Sequence, residues 1–375
     1  MRLVQFTAKN VFRRPMRSAL TVAGVAGGVA AVVALVGIAG SFERALTAVF
    51  ERRGVDLLVS SAGGLQKTSS VLDESLCGQI AALPLARDVS PGLVDVYSFA
   101  EHDLFGVVAR GVPPESFLIR DLEVLSGRRL AEGDVRCVML GKTLAANLGK
   151  QPGDKLDVAA REEFEVVGVY ESFSPLENGW LIMPLAELQR MMDRQGKVMV
   201  ISVVARQPDE ETILALRDEI AAMASNLEVL PARSFVGSMV EIRLARAMAW
   251  MTSALALFVG AISMLNTMLA AVHERTRELA VLRAVGWRKT SVLRLVLIEA
   301  VLLALGSAAL GTLLGLGAVH LLSLFPTAGR LVVGDIGWDV IAQGFAVAVV
   351  LGVLGGLYPA CRAARQVPTE GLRHD

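Results

Sequence analysis

Cysteine and histidine are scarce, at three and four of the 375 residues. Three cysteines do not make a disulfide framework. Cys77 and Cys137 share one polar stretch and stand there either as a pair or as two separate thiols, while Cys361 reads as packing at the end of an apolar run. The four histidines, His102, His273, His320 and His374, are too scattered to ligate a metal. Excess charge is missing too, because 37 basic residues balance 37 acidic ones. The total therefore selects no partner, and no nucleic acid is expected.

Charge is also missing from four long runs. Ser18–Phe42, Ala247–Val272 and Val340–Cys361 carry none, and Ala300–Gly329 carries only His320. A helix rises about 1.5 Å per residue and the bilayer's hydrocarbon core is about 30 Å thick, so about 20 apolar residues suffice to cross it. The fold class expected is four transmembrane α-helices with a large α+β extracytoplasmic domain inserted between the first and second spans. The spans are drawn at 18–42, 247–272, 295–325 and 340–361. The first could instead be a secretory signal, but its run exceeds the usual core of about 7–15 residues and no A-x-A-like cleavage site follows it.

Basic residues gather at 1–17, 273–294 and 362–375, whereas the short loop 326–339 holds Arg330 against Asp335 and Asp339. Positive charge beside a span marks its cytoplasmic end. Both termini are thus expected inside a cell's inner membrane, and residues 43–246 outside it. Residues 2–14 read as an amphipathic helix lying on lipid headgroups. Helical patterning carries on from the first span to Gly54, and again from Ser234 into the second span, as two stalks beneath the external domain. Within that domain, Val55–Ser60, Val94–Phe99, Val107–Arg110, Val135–Leu140 and Phe164–Tyr170 read as strands. Val71–Leu83, Lys142–Leu148, Pro184–Asp193 and Glu210–Ala224 read as helices.

Buried acids are absent from the spans, where a charge at mid-membrane costs about 2.5–3.5 kcal/mol. Glu299 is the exception at an edge, with Arg294 as its expected partner or the interface as its place. Coupling to protons or sodium ions is disfavoured, and the energy has to come from elsewhere. The run RCVMLGKT, residues 136–143, ends like a phosphate-binding loop but has Arg136 where the first glycine belongs. No other catalytic motif stands out, so the chain reads as non-catalytic, without a cofactor or metal of its own. Glycine pairs at spacing four, Gly24/Gly28, Gly311/Gly315 and Gly352/Gly356, suggest close helix packing or dimer contacts. In the 273–294 loop, Leu279, Leu282 and Val285 form an apolar stripe flanked by Glu274, Glu278, Arg277, Arg283 and Arg288, and Gly286 ends the helix before Trp287. Such a helix either rests on lipid or docks into a groove on a cytoplasmic partner.

Several motifs resemble one family, the MacB/FtsX-type ABC transporter permeases. They are ERTRELAVLRAVGWRKTSVLRLVLIEA (Glu274–Ala300) and GGLYPACRAARQVPTEGLR (Gly355–Arg373), the latter with Pro359, Ala360, Ala363, Ala364, Pro368, Glu370, Leu372 and Arg373. AKNVFRRPMRSALTVAGV (Ala8–Val25) resembles the family's start. LSGRRLAEGDVRCVMLGKTLAANLGKQPGDKLDV, FEVVGVYESF and WLIMPLAELQ are similar to its periplasmic core domain. The resemblance implies a permease dimer, of two copies or of this chain with a relative, above a cytoplasmic ABC ATPase dimer carrying ATP and Mg. It further implies that Glu274, Arg277, Glu278, Leu282, Arg283 and Gly286 contact that ATPase, and that the stalks pass its motion outward. The macrolide exporter carries its ATPase fused at the N-terminus, so a separate ATPase subunit is expected here. The function implied is export of a hydrophobic compound, lipid or lipoprotein from the outer leaflet or periplasm, with a periplasmic adaptor and outer-membrane component as further partners. The alternative is a force-transmitting regulator of a cell-wall hydrolase.

Overall fold

The computed structural model describes residues 15–62, 71–159, 162–325 and 336–365. The amphipathic segment 2–14, loop residues 326–335 and the tail from 366 onward, with Pro368, Glu370, Leu372 and Arg373, lie outside the described residues. The chain divides into two compact units: 1–40, 246–322 and 335–375 form one, and 41–245 with 323–334 the other.

The first apolar run is helical as α1 (Pro15–Ala31), a π-helical turn (Val32–Val36) and α2 (Gly37–Glu51). Proline opens α1, where its missing N–H costs nothing. The helix stops at Glu51, three residues short of the expected Gly54, and Gly54 completes the following turn with a φ of +70°.

The external unit then runs β1 (Leu57–Ser61), β2 (Leu72–Asp73), α3 (Ser75–Ala81), β3 (Ala86–Phe99), β4 (Leu104–Val112), β5 (Glu123–Gly127), β6 (Cys137–Gly141), α4 (Lys142–Leu148), β7 (Lys155–Ala159) and β8 (Glu162–Glu171). It closes with β9 (Leu181–Pro184), α5 (Leu185–Met191), β10 (Lys197–Val198), β11 (Val200–Ala205), α6 (Glu210–Met223), β12 (Leu227–Pro231) and α7 (Ala232–Ser238). Ten strands form one sheet in the order β12-β1-β11-β3-β4-β9-β6-β8-β5, with β7 on β8; β10 and β2 pair separately. The β4–β9 and β6–β8 pairs are parallel and the others antiparallel.

Strand residues point alternately to opposite faces, and helices pack on each of them. Leu57, Val59, Val138 and Leu140 join Leu144, Leu188, Leu216 and Ile220 from α4, α5 and α6. Leu58 and Met139 join Phe50 of α2 with Phe235 and Val236 of α7. The expected helix Val71–Leu83 is a correction: it is β2 followed by α3, with the Asp73 carboxylate accepting from the Ser75 amide and hydroxyl at the junction. Such a side chain satisfies the first helical donors and fixes where the helix starts. Gly141, the glycine of the Gly-Lys-Thr run, abuts the Asn178 backbone where a Cβ would collide, and Lys142 pairs with Glu171.

The membrane unit contains α8 (Val240–Glu274), α9 (Thr276–Ala284), α10 (Lys289–Ser323) and α11 (Trp338–Arg365). With the first helix, three of these make four that are long and apolar enough to cross a membrane. The second stalk is not unbroken, because Met239 leaves helical geometry between α7 and α8, at φ −59° and ψ 129°. Val25, Val29 and Val33 of the first span pack with Met264 and Met268 of α8, Ala300 and Leu303 of α10 and Ala348 of α11. The glycine pairs make intrachain contacts. A Cβ on Gly24 would lie 2.8 Å from Ser263 Oγ, one on Gly311 2.6 Å from Ala26 O, and one on Gly356 2.5 Å from Ala300 Cβ. A Cβ on Gly28, Gly315 or Gly352 would lie 3.0, 2.9 or 2.7 Å from Leu257, Val33 or Ala304, respectively. Small residues let backbones approach where water supplies no hydrophobic drive between helices.

Candidate functional site

The segment between the second and third spans folds into α9, a nine-residue helix held by its two ends. At the N-terminal end, Thr276 Oγ1 donates to the carbonyls of Val272 at 3.2 Å and His273 at 2.7 Å. Arg275 Nη1 donates to both Glu299 carboxylate oxygens, at 3.1 and 2.9 Å. Glu299 is buried in α10, so this ion pair pins the entry of α9 to the third span. Arg294 sits on the same helix as Glu299 but is exposed, and it does not form the expected pair. Residues five apart lie on different helix faces, whereas Arg275 arrives from a separate chain segment.

At the other end, Gly286 adopts a φ of +103°. Its N–H donates to Arg283 O at 3.1 Å, and that of Trp287 to Leu282 O at 3.1 Å. These two bonds define a Schellman cap, which favours glycine at that position. Arg283 Nη1 adds a bond to Trp287 O at 2.9 Å.

Between the ends, α9 turns Leu279 inward onto Val292, Leu295 and Val296, Ala280 is buried next to it, and Arg283 is half-buried. The outward face carries Arg277, Glu278, Val281 and Ala284, followed by Val285 at 77 % exposure. The stripe Leu279–Leu282–Val285 is therefore split: Val285 keeps helical geometry as the cap residue, but each step of three falls about 60° short of a full turn, which carries it from the buried face to the exposed one. Of the residues singled out for a cytoplasmic contact, Glu274, Arg277, Glu278 and Gly286 are exposed, whereas Leu282 and Arg283 are half-buried. Val281 and Ala284 share the outward face and were not singled out. An open cleft of 490 Å³ runs beside the helix, lined by Met268, Val272, Leu279, Leu282, Val296 and the Arg275–Glu299 pair and reached also by Arg277, Glu278 and Val281 of the outward face.

A second concentration of charge lies in the external unit. Arg53, just past α2, grips Glu177 with Nη1 at 2.6 Å and Nη2 at 2.7 Å, and its Nε bonds Asp121 at 2.9 Å. Arg110 reaches the same Glu177 at 3.3 Å, and Ser172 Oγ donates to it at 2.5 Å. The Arg53, Arg110 and Glu177 side chains are almost fully buried. Burial pulls the Arg110 guanidinium down to about 10 against the attraction of Glu177. No sequence signal marked this cluster, because Arg53 and Glu177 are 124 residues apart. Among the described residues, no group of three or more His, Cys, Asp or Glu is arranged to hold a metal. Cys77 and Cys137 are both free thiols, the second of the two readings kept open above.

The family model for the MacB-like periplasmic core domain matches residues 18–223, and that for the FtsX-like permease C-terminal region matches 250–368. The macrolide export ATP-binding/permease protein MacB of Hahella chejuensis is 27% identical over 389 residues, spanning 96% of this chain but 58% of that protein. The chain thus spans less than two thirds of the macrolide-export relatives it matches. An uncharacterized ABC transporter permease, YknZ of Bacillus subtilis, is 23% identical over 398 residues, covering 99% of this chain and 98% of that one. The extracellular domain of a YknZ transporter from Gram-positive bacteria superposes with a TM-score of 0.38 at 16% identity, over 47% of this chain and 98% of that structure.

Proposed function

The chain belongs to the FtsX-like permease family with a MacB-like periplasmic core domain, and on that premise we propose that it is the membrane subunit of an ATP-driven exporter. In this reading, ATP hydrolysis occurs in an ABC ATPase on the cytoplasmic side. The chain transmits that work through its helices and moves a hydrophobic compound, lipid or lipoprotein outward from the outer leaflet or periplasm. Both termini lie in the cytoplasm, and a second copy or a related permease completes the pair.

The outward face of α9 carries the proposal. Arg277, Glu278, Val281 and Ala284 stand exposed on a helix whose other face is committed to its own spans. Opposite charges flanking an apolar patch suit a groove on a globular partner better than anionic headgroups, which would repel Glu278. The Arg275–Glu299 pair would convey a push on α9 directly to the third span.

The test is purification of the full chain from its native membrane in mild detergent, followed by quantification of the co-purifying ATPase by mass spectrometry. Glu278→Lys and Arg277→Glu each reverse a charge at the proposed contact, and like charges across an interface cost several kcal/mol. A fall of about tenfold or more in recovered ATPase is expected from about 1.4 kcal/mol upward. Unchanged recovery with both variants, or no ATPase with the unaltered chain, overturns the reading.

A further inference from the structure

One face of the large sheet is incompletely covered. Alternate strand positions bring Val94 and Val96 of β3 and Val108 of β4 to that face. Opposite them α2 presents Phe42, Leu46 and Phe50, spaced by four along one helix side. An apolar cleft of 290 Å³ remains between the two, wholly inside the external unit. Val96 is 56 % exposed there, so a bulky aliphatic side chain faces an open space.

We propose that this cleft holds one acyl chain of a membrane phospholipid. Its volume falls at the lower end of small-ligand sites, which run from about 300 to 1,000 Å³. Its buried cation is already engaged: Arg110 is paired with Glu177 and lies 5.9 and 6.0 Å from the Phe50 and Trp180 rings. A ligand with polar groups distributed along its body would lose their hydration against valine and phenylalanine, whereas a hydrocarbon chain has none to lose. The walls also adjoin the lipid-soluble runs along the chain. Phe42 is the last residue of the charge-free run Ser18–Phe42, and Ile242, another lining residue, precedes the run Ala247–Val272 on a single helix. Along the sequence, Phe42 ends the first run directly, whereas Arg243 and Arg246 stand between Ile242 and the second.

The assignment deepens the export reading by giving it a lipid site, and it rests on that reading for its role in transport. It is tested independently with the full chain in nanodiscs of phosphatidylcholine carrying a diazirine at the end of one acyl chain. After irradiation, labelled peptides are mapped by mass spectrometry. Adducts are expected on Trp180 and on the β4 peptide, which lie far in sequence from any span, alongside adducts on the spans themselves. Val96→Arg, at an exposed position, and Val108→Trp, which fills the cleft, should each lower the cleft adducts at least tenfold and leave the span adducts unchanged. Span labelling without cleft labelling overturns the proposal, and so does cleft labelling that Val96→Arg leaves intact. Cleft labelling in a chain that recovers no ATPase would retain the lipid site and discard the exporter.

Discussion

Replacing Arg275 by methionine while keeping Glu299 strands a buried carboxylate beneath α9. Removing one partner of a buried ion pair costs about 3–5 kcal/mol. The Arg275 side chain keeps 23% of its exposure and that of Glu299 11%, so water reaches one end of the pair and the lower bound, about 3 kcal/mol, applies. For a unit of about 150–250 residues, each kcal/mol shifts the melting temperature by about 2–4 °C. Arg275→Met should therefore lower the transition of the membrane unit by about 6–12 °C. The transition can be followed in detergent by the fluorescence of Trp250, Trp287 and Trp338, which belong to that unit. The double variant Arg275→Met/Glu299→Met removes both charges at similar volume, a replacement that is often neutral or stabilising, and should regain most of the loss. Arg294→Met should leave the transition within about 2 °C, because surface changes away from such features fall within about 0.5 kcal/mol. Equal losses in the Arg275 single and double variants, or a loss in Arg294→Met matching that in Arg275→Met, would refute the reasoning.

Two further expectations concern packing and thiol chemistry. Gly311→Ala places a methyl group 2.6 Å from Ala26 O and 2.7 Å from Val29 Cβ; overpacking of this kind costs about 1–3 kcal/mol, read as a lower melting transition. Gly317→Ala, on the same helix with nothing within 4 Å, should be neutral or stabilising, and equal loss in both would discount helix contact as the cause. In the external unit, burial, reinforced by Glu74, pushes the Cys77 thiol up to about 12, and burial also raises Cys137. A raised thiol pKa keeps the unreactive neutral form until the pH climbs, so maleimide labelling of the native chain should be slow at pH 7 and accelerate about tenfold per pH unit towards pH 9. Both cysteines should label fully after denaturation without reductant; a requirement for reductant would contradict the free thiols.

The spans were legible because length and absence of charge are one-dimensional properties. Lys142–Leu148 and Glu210–Met223 were legible for a related reason: both helices are local, and Asp209 caps the second through the Thr212 amide. Leu181–Pro184 and Val200–Ala205 were passed over although they are apolar, because both are interior strands buried on both faces and so show no alternation. At α9 the apolar period was readable, but the surface it faces was not, since Val292 and Leu295 arrive from a helix that begins beyond the glycine cap. The partner of Glu299 was misread for want of the same information: sequence offered the nearest arginine, and folding supplied one 24 residues upstream.

The π-helical turn at Val32–Val36 gives the first span one residue more than a regular helix of equal length would hold. That surplus is held in place by its side chains: Val32 and Val36 pack with Ala249 and Leu257, and Val33 abuts Gly315. Each residue of a regular helix corresponds to about 100° of turn and 1.5 Å of rise. The residues that follow the turn are therefore set about one such step out of phase with those that precede it, and a valine-rich pentapeptide, not a loop, re-aims the helix face along the first span.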